Sequence, residues 1–208
     1  MDLIRSIIVF NGGSAGDFLK SVCVEQLSPN LIYTLNHSGM VNFDHHYFKD
    51  ITKCNNVIPG QIDYNKIYQV ENTHYYHEYY RSLANNVFYI DYPEKLQSVI
   101  FESYLKKLKN NDCAKLYQDH LPLFPTALQH LITIENIKKS LSILWIRNIR
   151  SWREIPSITK INFEEILVYD TLITIVEKVI QQPLTNPQRL KISYQQWIDK
   201  NFNLISLN

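Results

Sequence analysis

The segment Asn11-Gly12-Gly13-Ser14-Ala15-Gly16-Asp17-Phe18 holds three of the chain's five glycines. Glycine reaches positive φ and lets a ligand approach the backbone closely. Successive N–H groups in such a turn form an anion nest, and the N-terminus of a following helix adds partial positive charge. Gly12, Gly13, Ser14, Ala15, Gly16 and Asp17 are therefore candidate phosphate-binding residues, with Ser14 offering a hydroxyl. Against the pattern GxxxxGK[ST], Asn11 fills the first glycine position, Asp17 the lysine and Phe18 the hydroxyl residue. The cation for the β- and γ-phosphates and the ligand for Mg²⁺ are both replaced. The dinucleotide pattern GxGxxG is absent as well. The alternative is a strand-to-helix turn that needs glycines for its shape, with Asp17 as a helix-start residue.

His74 and His120 are the candidate general bases. Either would need a substrate hydroxyl within about 3 Å of a ring nitrogen. A polar histidine at a strand end, bonded to backbone, is the competing role for His74, and solvent exposure that for His120. His74 and His77 have HxxH spacing, and His37, His45 and His46 stand near Asp44. No cysteine pair and no HExxH accompany them, so no metal is expected. Arg147, Arg150 and Arg153 recur every third residue. On a helix they would make one basic stripe, able to grip phosphate or simply to face solvent. The tyrosines between Tyr75 and Tyr92 would sandwich a base or fill a core. There is no GxSxG elbow, no Cys-His signature and no defensible carboxylate pair.

Those side chains need elements to position them. Ile4 to Phe10 (IRSIIVF) is short, β-branched and ended by glycine, as a buried strand is. Asp17 to Leu27 follows as a helix, and Leu31 to Leu35 as a second short strand. Residues 36–65 form a long loop insertion with a short helix. Ile67 to Val70 gives a strand ending at Glu71-Asn-Thr-His74, and Tyr75 to Leu83 a helix. Asn86 to Ile90 is another buried strand, and Glu94 to Lys109 a helix with Pro93 beside its first turn. Helices are predicted over Thr126 to Ser140, Thr171 to Gln182 and Pro187 to Asn201. A strand is predicted within Ile158 to Ile166. Leu141 to Ile146 fits either state. The segment 187–208 is the C-terminal helix of a single domain, 1–208. Strands alternating with helices predict an α/β three-layer sandwich of the P-loop type. Its central sheet would be mostly parallel, with four or five strands and helices on both faces. Ligands then bind beyond the carboxyl ends of the strands.

The 208 residues suit a single domain, and a net charge of +1 gives no global field for nucleic acid or an anionic membrane. Three scattered cysteines fit a reducing, cytoplasmic setting. No apolar run approaches roughly 18 residues, so no membrane span is expected.

With the turn located, the chain resembles the P-loop sulfotransferase family. Those enzymes have a turn of the type PKSGTTW, a strand ending KTHLP, a strand running into RNPxDxxxS and a later YEDL strand. Gly13 to Leu19 resembles KSGTTWL at its glycine. Thr73-His74 resembles the TH of KTH, with Asn72 at the lysine. Asp91-Tyr92-Pro93 stands where the family has Arg-Asn-Pro, Ser98 lies near the expected serine, and Asn162 to Leu167 looks like YEDL and its helix. A second register sets Asp119 to Leu123 on THLP and Ile146 to Arg150 on VRNPR. The topology favours the first.

The resemblance implies 3′-phosphoadenosine 5′-phosphosulfate as cofactor. It implies a hydroxyl acceptor, small molecule or peptide, with His74 as base. Ser98, Arg147 and Arg150 would hold phosphate groups. Two functions follow. One is a sulfotransferase-like enzyme that moves a sulfuryl group, or less readily a phosphoryl group as a nucleotide-dependent phosphotransferase. The other is a non-catalytic relative that serves as a binding or assembly protein. The replaced lysine, the replaced arginine and the acidic Asp17 favour the second.

Overall fold

A computed structural model describes residues 4–28, 48, 68–107, 121 and 125–201. Strand β1, Ile4–Val9, is buried at every position but the half-buried Arg5, and four of its six residues are aliphatic. The glycine turn carries it into helix α1, Gly16–Leu27. Strand β2, Val70–Thr73, pairs parallel with β1 from Ser6↔Val70 to Val9↔Thr73. After the single turn of α2, Tyr80–Leu83, strand β3, Ala84–Asp91, pairs parallel with the other edge of β1. A 3₁₀ turn, Glu94–Leu96, opens α3, Gln97–Lys107. A second, Thr126–Leu131, precedes α4, Ile134–Arg153. Strand β4, Thr159–Asn162, pairs parallel with the end of β3, and α5, Phe163–Ile166, follows it. Helices α6, Tyr169–Ile180, and α7, Pro187–Asn201, complete the described chain.

The sheet is all parallel, four strands in the order β2-β1-β3-β4. An α/β fold with a parallel central sheet is thus what the alternating pattern implied, and helices gather in two sets compatible with three layers. Helix α1 lies against α6 and α7, while α3 lies against α4. Phe18 of α1 stacks on Trp197 of α7 with ring centroids 4.4 Å apart. Ile7, Ile8, Leu19, Ile90, Leu172, Val176 and Leu190 are essentially inaccessible, which places the core between sheet and helices. Burying one such aliphatic side chain contributes about 1.5–3 kcal/mol.

Several elements differ from expectation, each for a local reason. The second strand of the sheet runs over 70–73, three residues later than predicted. Glu71 is buried against Lys20, and the Asn72 amide donates to Asp17 Oδ1 at 2.8 Å, while the buried Asn72 Oδ1 has no hydrogen-bond partner among the described residues. Of the helix predicted over 75–83, only 80–83 forms. The helix predicted from Thr126 is interrupted, because Thr133 caps a new one. Its Oγ1 accepts from the Asn136 amide at 3.2 Å, and Asn136 Oδ1 accepts from the Thr133 amide at 2.8 Å. That helix absorbs the ambiguous Leu141 to Ile146 stretch. Ile137, Leu141, Trp145, Ile149 and Trp152 fall on one buried face at helical spacing. The expected strand at 31–35, the loop 36–65 apart from the buried Phe48, and residues 202–208 lie outside the described residues.

Candidate functional site

Strand order directs attention to one place. β2 lies on one side of β1 and β3 on the other, so the chain reverses direction at the β1/β3 boundary, where α/β sheets open their ligand crevice. The carboxyl end of β1 is Phe10 and the glycine turn. The carboxyl end of β3 is Asp91-Tyr92.

The boundary is bridged by a buried polar network. Asn11 Nδ2 donates to Tyr92 Oη at 2.8 Å and to the Trp145 carbonyl at 3.0 Å. Tyr92 Oη donates to Gln97 Oε1 at 2.7 Å. Burial, first among the causes, pushes the Tyr92 phenol well above its ordinary range. It therefore stays a neutral hydrogen-bonding group.

The turn itself is closed inward. Ser14 donates both its amide, at 3.1 Å, and its hydroxyl, at 2.6 Å, to the Asn11 carbonyl. Gly12, Ser14, Ala15 and Gly16 are buried, and Gly13 and Asp17 are half-buried. Gly13 has φ +82°, and a Cβ there would lie 2.7 Å from the Ile100 carbonyl oxygen. At Gly12 a Cβ would lie 2.9 Å from Tyr104 Cδ2 and 3.0 Å from Trp145 Cη2, and at Gly16 2.1 Å from Phe10 Cγ. Tyr104 and Trp145 are themselves in edge contact at 5.1 Å. Helices α3 and α4 thus press aromatic side chains onto the turn.

One feature of the turn keeps the character of an anion nest. Positive φ alternates along it, +82° at Gly13 and +65° at Ala15, with none at Gly12, Ser14 or Gly16. Ala15 begins α1 without a side-chain cap. Alternating handedness of this kind turns consecutive amides toward one side.

The candidate base sits beside it. His74 Nδ1 lies 3.0 Å from the Phe10 carbonyl oxygen, and its ring is 4.5 Å from that of Phe10. A ring nitrogen facing a carbonyl must carry the proton, which leaves Nε2 as the basic nitrogen in the neutral ring. His120, the other candidate, lies outside the described residues.

Among the described residues, Lys20, Arg150 and Arg153 are each held by a carboxylate. Lys20 forms an ion pair with Glu71, each about 1% exposed, and Glu71 Oε1 also accepts from the Tyr68 amide at 2.8 Å. Arg147, Arg150 and Arg153 do form a helical stripe on α4, and Arg147 is exposed. Arg150 Nε donates to Glu94 Oε1 at 2.8 Å on the exposed surface. Arg153, which the resemblance did not single out, comes nearest the strand ends. Its Nε and Nη2 donate to Asp91 Oδ1 at 3.0 and 2.8 Å, and Nη2 also to the Tyr92 carbonyl at 3.1 Å. Ser98 is exposed on the first turns of α3.

The two registers separate here. Residues 146–150, on which the second register sets VRNPR, lie inside α4 rather than at a strand end. In the first, His74 follows a strand paired to β1, and Asp91 ends another. Sequence reasoning missed the roles of Asn11, Gln97, Tyr104 and Trp145. It also missed the Lys20–Glu71 pair, for which a charged residue between Val70 and Asn72 in a buried strand was a usable signal.

Among the described residues, no three His, Cys, Asp or Glu side chains gather closely enough to hold a metal ion, and no helix is long and apolar enough to cross a membrane. Cys23 is a free thiol in the core, its pKa pushed up by burial. No protein-family model matches the chain, and neither the curated proteins nor the solved structures contain a significant match to it.

Proposed function

We propose that the chain is a non-catalytic binding or assembly protein on a P-loop-type α/β fold, in which the glycine turn is a packing joint. The observation that carries this is the closure of the turn. Three glycines meet the Ile100 carbonyl or the rings of Phe10, Tyr104 and Trp145, and the Ser14 hydroxyl bonds back to Asn11. Charge supports the same reading. A transferred sulfuryl or phosphoryl group needs a cation where charge builds on the bridging oxygen. Lys20, Arg150 and Arg153 are each engaged with a carboxylate, and Asp17 brings a carboxyl group to the first turn of α1.

The second reading is sulfotransferase-like transfer from 3′-phosphoadenosine 5′-phosphosulfate to a hydroxyl, with His74 as base. Alternating φ along the turn and the orientation of His74 favour it.

Melting the protein with 3′-phosphoadenosine 5′-phosphate, ATP and GTP decides between them. A ligand at about 100 times its Kd stabilises by about 2.7 kcal/mol, or roughly 5–11 °C for a chain of this size. The binding-protein reading expects no shift with any of the three. A shift with the bisphosphate alone that disappears in Gly13→Val overturns it in favour of the transferase. A shift with ATP or GTP that disappears in the same variant points to a phosphotransferase.

A further inference from the structure

A cavity of about 250 Å³ opens between the segment following β2 and helix α4. Leu144, Asn148, Ser151 and Trp152 of α4 form one wall with Ile155 just beyond the end of that helix, and Tyr75 and Tyr76 complete the lining. Asn148, Ser151 and Trp152 stand four, seven and eight residues after Leu144, so these four are one stripe of α4. Trp152 belongs both to this stripe and to the buried face of α4 that carries Trp145.

The wall has an order to it. Trp152 is 3% exposed and meets the Tyr89 ring edge-on at 6.4 Å, which fixes its indole. Ser151 Oγ donates to the Asn148 carbonyl at 3.0 Å, so the serine hydroxyl is engaged within the helix. The Asn148 side-chain amide has no hydrogen-bond partner among the described residues and is half-buried in the cavity wall. That amide presents a donor and an acceptor side by side.

We propose that this cavity binds a small planar nitrogen heterocycle of the nucleobase type, held by the aromatic walls and read by Asn148. Size restricts the occupant to one or two rings, because the volume falls below the roughly 300–1,000 Å³ of drug-sized sites. The half-buried Tyr75 and Tyr76 favour a flat π-system, since stacking on such rings strengthens binding regardless of which base is presented, while the buried Trp152 only floors the cavity. Asn148 adds the selection. A carboxamide pairs in bidentate fashion with a ring edge that carries an adjacent donor and acceptor, as the adenine edge does. The proposal is independent of the turn, because the ring needs no phosphate.

Calorimetric titration with adenine, and with cyclohexanol as a non-planar control, tests it. Neither probe carries phosphate, so a nucleotide site at the turn contributes nothing to the result. One-site saturable binding of adenine, with no binding of cyclohexanol, is expected. Asn148→Leu should weaken adenine at least tenfold, as loss of one bidentate pair does. Ser151→Phe, from an exposed helix position, should fill the cavity and abolish binding at an unchanged melting temperature. The proposal is overturned if adenine shows no saturation up to millimolar concentration. Equal affinity for cyclohexanol, or adenine binding that survives both substitutions, overturns it too.

Discussion

Gly16→Ala is the sharpest probe of the turn. In a nucleotide cradle this glycine would serve the ligand, and an extra methyl would weaken binding with little effect on the empty protein. In the observed packing it serves Phe10. The new Cβ would lie 2.1 Å from Phe10 Cγ and 2.4 Å from both Cδ atoms. The Phe10 ring has little room to retreat, since it is 1% exposed and sits 4.5 Å from the His74 ring. Two opposing effects set the magnitude. Alanine in place of glycine favours a helix by up to about 1 kcal/mol. Overpacking a full site costs about 1–3 kcal/mol, and a contact this close to a ring carbon belongs at the upper end. The net expectation is a loss of about 2 kcal/mol, a fall of roughly 4–8 °C in melting temperature without any ligand. A double-mutant cycle with Phe10→Leu identifies the cause. The smaller side chain makes room for the methyl, so the double variant should be more stable than the two single losses add up to. The coupling should be about 0.5–3 kcal/mol, as for contacting pairs. Thermal unfolding followed by circular dichroism measures all four proteins. A Gly16→Ala protein that melts within a degree or so of the parent refutes the packing account.

Other substitutions test the polar interior. Glu71→Gln removes the carboxylate facing the Lys20 ammonium and should cost about 3–5 kcal/mol, seen as a melting temperature lower by roughly 6–20 °C. The paired replacement Lys20→Met with Glu71→Leu should cost much less, because no buried charge is left behind. Tyr92→Phe takes away the hydroxyl between Asn11 and Gln97. Denaturant titration should show a loss of about 1–3 kcal/mol, the penalty for buried polar groups without partners. Glu25 gives a pH signature. Burial raises its carboxyl pKa, against the Ser193 hydroxyl bond and Arg189, which lower it. The folded chain therefore holds this proton more tightly than the unfolded chain does. That contribution to stability is complete below the unfolded value of 4.5 and declines as pH rises through the higher folded value. The stability difference between the parent and Glu25→Gln, followed by melting across that range, should decrease with rising pH, and a difference that grows instead contradicts the sign.

Local rules made most of the sheet legible. Ile4 to Val9 is a β-branched run ended by glycine, and Asn86 to Ile90 repeats the apolar signal, so both were readable as buried strands. Pro187 at the start of the last described helix marked its beginning to the residue. What was not legible depended on partners far away in sequence. Val70–Thr73 reads as polar until Lys20 and Asp17 are set beside Glu71 and Asn72, each more than 50 positions away. The helix Ile134–Arg153 was obscured because its apolar stretch Leu141 to Ile146 has no period of its own, and the stripe appears only when Ile137 and Ile149 are included.

The turn shows the same division at the level of function. A cluster of glycines states that backbone must come close to something, and it is silent about what arrives. Gly13 requires positive φ, Gly16 requires the absence of a side chain, and both needs are equally those of a phosphate cradle and of a packed joint. The deciding atoms come from Ile100, Tyr104 and Trp145, more than 80 residues further along the chain. Nothing in the spacing of residues 11–17 could have announced them. The one charge in the segment could: Asp17 stands where a phosphate-binding turn has lysine, and a carboxylate there repels the charge the cradle is meant to hold. In the fold that carboxylate accepts a hydrogen bond from Asn72 on the neighbouring strand. Its Oδ1 thereby ties the first turn of α1 to β2, which is paired with β1.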